Sequence, residues 1–111
     1  MNASDSTLPD SRVTSLLIDE RERTVTVYAL HPTEPTPEGH NASEEIAVHT
    51  SVDSLTVTGW SHEPVTAWES TPLPDDAGRI AVALSGPATS VTFHADAAVR
   101  RTRRPLRTGA L

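Results

Sequence analysis

Five histidines, at positions 31, 40, 49, 62 and 94, are the side chains of this chain that titrate near neutral pH. His49 and His94 fall in alternating polar and apolar segments, in phase with Ala47 and Thr92 and opposite the larger aliphatic residues. Two imidazoles on neighbouring strands, with a carboxylate such as Asp96, are the raw material of a zinc site. No ligand-spacing motif accompanies them, so the expectation is solvated strand histidines, no metal and no cofactor. Other chemistries are short of parts. The chain has no cysteine, which removes disulfides, thiolate metal sites and Cys nucleophiles, and no lysine, which removes Schiff bases and Ser–Lys dyads. There is no Gly-rich phosphate loop, no two-His helix and no strand-to-helix nucleophile elbow. Most of the 15 carboxylates lie in loops and turns, where a solvated charge is the default. The residues argue against an enzyme.

What remains is binding chemistry. The segment SVDSLTVTGW, residues 51–60, alternates and then stops on Gly59 and Trp60. Trp60 is in phase with Thr56 and Thr58, and Trp68 is out of phase with Val65 and Ala67, so strict alternation sends both indoles off the main core face. An indole carries roughly 200 Å² of mostly apolar surface, so a loop or a partner is expected to cover each one. Around them stand carboxylates: Glu44 and Glu45 at the end of a loop rich in Glu, Asp53 before the Trp60 strand, Glu63 and Glu69 on either side of the next one. Trp60, Trp68, Glu44, Glu45, Asp53, Glu63 and Glu69 are the candidate partner-binding residues. At the other end, RRTRRPLR concentrates five Arg in eight residues and could meet phosphates. A flexible or fraying end is the plainer reading, and the acidic body disfavours nucleic acid.

The elements that hold these residues read as strands. VTSLLI (13–18) and TVTVYAL (24–30) flank the charged connection DERER, and HPTEPTPEGHNASE (31–44) is a long Pro-rich loop. EIAVHTSV (45–52) and SLTVTGW (54–60) read as a tight pair around Asp53. VTAWES (65–70), RIAVALS (79–85), SVTFHAD (90–96) and a last strand within 97–103 follow. Seven to eight short strands without helical periodicity predict an all-β fold, an antiparallel β-sandwich or open barrel. The expected inward set is Val13, Ser15 and Leu17; Val25, Val27 and Ala29; Ile46 and Val48; Leu55 and Val57; Ile80, Val82 and Leu84; Val91 and Phe93. On that phase, Val57→Asp unfolds the domain.

The length of 111 residues allows one domain, expected over 12–104 between disordered tails at 1–11 and 105–111. Residues 1–99 hold all 15 acids against four Arg, a balance of −11, and residues 100–111 hold five Arg and no acid. The longest apolar run is a few residues, so no membrane helix is expected, and MNASDSTLPD has neither the basic start nor the apolar stretch of a signal peptide. With no cysteine, the expected location is the cytoplasm.

The order of segments resembles a bacterial polymorphic-toxin immunity family, immunity protein 50. The similar elements are the hairpin RVTSLLIDERERTVTVYALH, a Pro-rich connection, Asn41 ahead of EIAVHTSVDSLTVTGW, and GRIAVALSGPATSVTFHADAAVR. Leu55 to Trp60, read as L-x-V-x-G-W, is the most recognisable piece, and the match spans residues 12 to about 100. Nothing in the family corresponds to the Arg cluster after Arg100. The resemblance implies a cytoplasmic inhibitor without catalytic residues, binding a cognate toxin domain that an acidic surface would capture if basic. The alternative expectation is a non-enzymatic β-sandwich interaction or structural module of a phage or secretion assembly.

Overall fold

The structure, a computed structural model, describes residues 11–61 and 63–107. It is a β-sandwich of eight antiparallel strands: β1 Arg12–Asp19, β2 Thr24–Pro32, β3 Ala42–His49, β4 Asp53–Thr58, β5 Ala67–Pro72, β6 Arg79–Ser85, β7 Ser90–Asp96 and β8 Arg100–Leu106. One sheet has the order β1-β2-β3-β8 and the other β4-β7-β6-β5. No helix forms among the described residues, and none long and apolar enough to cross a membrane. All eight expected strands are present. The expected tail at 1–11 lies outside the described residues apart from Ser11, which is buried. Residues 108–111 lie outside them too, whereas Pro105 and Leu106 belong to β8 rather than to a tail.

Local chemistry fixes the turns. Asp19 Oδ1 accepts the Glu22 N–H at 3.0 Å, and Arg23 takes a φ of 57°, closing the β1–β2 hairpin at the charged DERER connection. The expected β3–β4 hairpin does not exist. Thr50–Val52 carries the chain from one sheet to the other, helped by a φ of 53° at Ser51 and a bond from the Val52 N–H to the Arg23 carbonyl. Strand β3 instead takes as its second neighbour β8, the Arg-rich segment, which leaves β7 and crosses back to the first sheet.

Inner faces meet in one core. Val25, Val27, Ala29, Val82, Leu84, Val91 and Phe93 are buried as the alternation predicts, and Ile80 packs against them. Four expectations are overturned, three by a change of phase and one by an edge. A bulge between Val13 and Ser15 inverts the phase of β1, so Leu16 joins the core while Ser15 and Leu17 face outward. In β3 the inward residues are Ala47 and His49, both fully buried, while Ile46 and Val48 face the other way. Val57, on an edge strand, is 45% exposed. Trp68 is buried at 4% exposure, inside the sandwich opposite Leu84, because the strand containing it begins only at Ala67 and alternates the other way from the expected one.

The observed burial changes the mutational expectation. Val82→Asp, a bare carboxylate in the core, should leave no folded protein, since the whole domain is worth only about 5–10 kcal/mol. Val57→Asp should now fold with a cost of about 1 kcal/mol or less. Denaturant melts of the two variants check this, and equal damage would mean that Val57 belongs to the core.

Candidate protein-contact site

Trp60 is the large aromatic side chain that the fold leaves out, half exposed beyond the end of β4. Its position is built, not loose. Gly59 sits at φ 70°, and a Cβ there would run into the Ala88 carbonyl oxygen, so only glycine lets the chain pass the β6–β7 turn this closely. The Thr89 hydroxyl, on a residue only 4% exposed, donates to the Gly59 carbonyl at 2.7 Å and accepts the Ser61 N–H at 3.3 Å. One buried side chain therefore holds both neighbours of Trp60. Downstream, the Val65 carbonyl accepts the Val13 N–H at 2.8 Å, fixing the far end of the loop to β1. Beside the indole is a cleft of about 380 Å³ lined by Arg12, Thr14, Glu63 and Pro64. His62 lies outside the described residues.

Of the seven residues expected to bind a partner, the structure brings together two, Trp60 and Glu63. Glu69 is exposed on the outer face of β5. Asp53 is at the opposite end of β4 from Trp60 and is bound to Arg79 at 2.9 Å. Trp68 is core, with the Arg101 guanidinium 5.3 Å from its ring centroid, so it presents no surface to a partner. Glu44 and Glu45 are already partnered. Glu44 pairs with Arg104 at 2.7 Å, and Glu45 takes Arg101 at 2.7 Å and Arg103 at 3.0 Å. Burial raises the pKa of the Glu45 carboxyl, but bonds from Arg101 and His31 and the two guanidinium charges outweigh it and hold the group below its ordinary value. The acidic body and basic tail of the sequence thus meet as neighbouring strands.

The histidines separate as well. His94 is on the outer face of the β4-containing sheet with Asp53, 3.8 Å away, while His49 is buried in the core with its ring 5.1 Å from that of Phe93, edge to face. The two do not share a face, and no group of three His, Asp or Glu residues able to hold a metal exists among the described residues. Asp96 is engaged by Arg79 at 3.1 Å and by Thr50, and hydrogen bonds from Ser51, Thr50 and Arg79 lower its pKa against a smaller opposing effect of burial.

One constellation escapes sequence reading. Ser11 Oγ lies 2.9 Å from His31 Nδ1, and His31 Nε2 lies 2.9 Å from Glu45 Oε1: hydroxyl, imidazole and carboxylate in line. Spacings of 20 and 14 residues on three strand ends gave no signal for it. This is the connectivity of a nucleophile, base and orienting acid. Here, however, the serine is 3% exposed, the gap beside it is too narrow for a water molecule, and the carboxylate is shared with two arginines. The hydroxyl has no approach for a substrate, and the line ties β1, β2 and β3 together at one end of the sheet. No known protein family, curated protein or solved structure matches the chain.

His49 gives a pH dependence. Both its ring nitrogens lack a hydrogen-bond partner, and burial, with the nearby Arg101 charge, pushes its pKa down to about 4 from 6.5. The unfolded chain therefore binds a proton that the folded one refuses. Stability should be full above pH 6.5 and fall as the pH drops from 6.5 towards 4, by up to about 3 kcal/mol. The depressed Glu45 and Asp96 carboxyls add losses only below the ordinary carboxylate values of 4.5 and 3.8. Denaturant titrations between pH 7 and 5 should show the slope in the native protein and lose it in His49→Leu. An unchanged slope in the variant would assign it elsewhere.

Proposed function

We propose that this protein is a binding inhibitor of the immunity type, which occupies a cognate bacterial toxin domain in the cytoplasm and blocks it by contact alone. The observation that carries this reading is Trp60: a half-exposed indole held on a loop pinned by Thr89 and by the β1 backbone. Large aromatics that are rigid before binding lose little entropy in an interface, and they dominate measured hot spots. The resemblance of the order of sequence segments, and of Leu55 to Trp60, to an immunity family adds direction. The catalytic groups of the sequence also favour it, because Ser11, His31, Glu45, His49 and Asp96 are all engaged or enclosed.

The five acidic groups among the candidate residues divide into two sets. Glu44, Glu45 and Asp53 are tied to arginines of the chain and add little field, which leaves Glu63 beside Trp60 and Glu69 on β5 to steer a basic toxin. Such steering acts on the association rate, and the indole acts on the lifetime of the complex.

The test is binding to the product of a toxin gene adjoining that of this protein. Trp60→Ala should speed dissociation by an amount worth about 2 kcal/mol while leaving Tm unchanged. Glu63→Gln should slow association at low salt with little effect at high salt. No binding, or a Trp60→Ala variant that binds as the native protein does, would defeat the reading.

A further inference from the structure

The outer faces of the two sheets differ in kind. On the β4-β7-β6-β5 sheet the outward rows read Thr56–Thr92–Ala83–Glu69 and Thr58–Ser90–Ser85–Ala67, polar or small throughout, as a solvated face should. On the β1-β2-β3-β8 sheet they read Leu17–Thr26–Val48–Arg100, then Ser15–Tyr28–Ile46–Thr102, then Arg12–Leu30–Glu44–Arg104. Leu17, Tyr28, Ile46 and Val48 thus form an apolar band, with Leu30 buried beside it, on a face that no other strand among the described residues packs against. Leu17 is 56% exposed, and Tyr28, Ile46 and Val48 are partly so. Strands with apolar residues on both faces are the mark of a sheet buried on both sides, and here the other strands among the described residues cover only one face.

Charge tells what the second cover is. The arginines Arg12, Arg100 and Arg104 stand at the margins of this face, on its two edge strands. Arg104 is paired with Glu44, and Arg12 and Arg100 make no ion pair among the described residues. A chain of net charge −6 therefore shows, at this one face, an apolar centre with a cationic margin. A second copy of the same face would set arginine against arginine, which costs rather than gains. Nucleic acid would meet the repulsion of the whole body and leave the aliphatic centre uncovered. We infer that the outer face of the β1-β2-β3-β8 sheet is a second docking surface, independent of the toxin reading, for a protein partner that presents an apolar patch bordered by carboxylates.

The experiment uses the full chain and a pair of synthetic peptides, EEVIVEE and KKVIVKK, both capped at their ends, followed by nuclear magnetic resonance. The acidic peptide should shift the signals of Leu17, Tyr28, Ile46, Val48 and Arg100, with binding that weakens as salt rises, and the lysine peptide should leave them still. Arg100→Glu, at an exposed site, should weaken the acidic peptide about tenfold. Val48→Thr, which keeps the branched shape and the strand, should weaken it too without lowering Tm. The inference fails if both peptides shift the face equally, or if neither does. It also fails if these signals move on dilution of the protein alone, which would make a second copy the occupant, or on addition of a DNA duplex, which would make it a phosphate surface.

Discussion

Glu45 is the side chain on which the arrangement of the first sheet turns. It faces inward on β3 between Ala29 and Arg103 in the register, and it receives His31 from β2 and Arg101 and Arg103 from β8. A carboxylate at 13% exposure is costly unless its oxygens are filled, and three donors fill them. In the observed phase each glutamate has its own partners: Glu45 inward with His31, Arg101 and Arg103, and Glu44 outward with Arg104. The need to fill these oxygens favours β8 as the neighbour of β3, since the Arg pairs of that strand match Glu44 on one face and Glu45 on the other. The same arginines shield the sheet edge, as charged side chains on an edge strand hinder uncontrolled pairing.

Much of the fold was legible in the residues. Alternation of β-branched residues and the placing of Pro and Gly located all eight strands, and β2, β6 and β7 kept the predicted faces, because in each only one alternation is strongly apolar. Strand β3 offers two, Ile46 with Val48 and Ala47 with His49, and hydrophobicity favours the wrong one. The phase follows an ion cluster around Glu45 whose partners lie up to 58 residues from it, which no local window contains. The bulge in β1 is similarly silent in sequence. The candidate site was half legible: Gly59 and Trp60 marked a chain that stops abruptly, but the pinning by Thr89 depends on a turn 30 residues later. Trp68 could not be placed without the true start of β5.

Rigidity and chemistry are distributed unevenly over the molecule. Groups that could carry reaction chemistry are drawn inward or tied to arginine, where they fix strand order: Ser11, His31 and Glu45 at one end, Asp53, Arg79 and Asp96 at the other. Among the groups left outward are an indole, a cleft and an apolar band on one sheet face. The polar clusters specify one register among the many that alternating strands permit.

The return of β8 to β3 has a consequence for how the chain is made. Strands β4 to β7 form a complete sheet from consecutive segments, so that half can assemble as soon as Asp96 has left the ribosome. The other half cannot, because β3 stays an open edge until β8 arrives. During synthesis, at about 5–20 residues per second, the interval between β3 and β8 lasts several seconds, with Glu44 and Glu45 unneutralised throughout. Those two charges then serve in a different way: adjacent negative charges on a nascent β3 disfavour pairing with the β3 of a neighbouring chain on a polysome, and they are cancelled only when the arginines of β8 emerge.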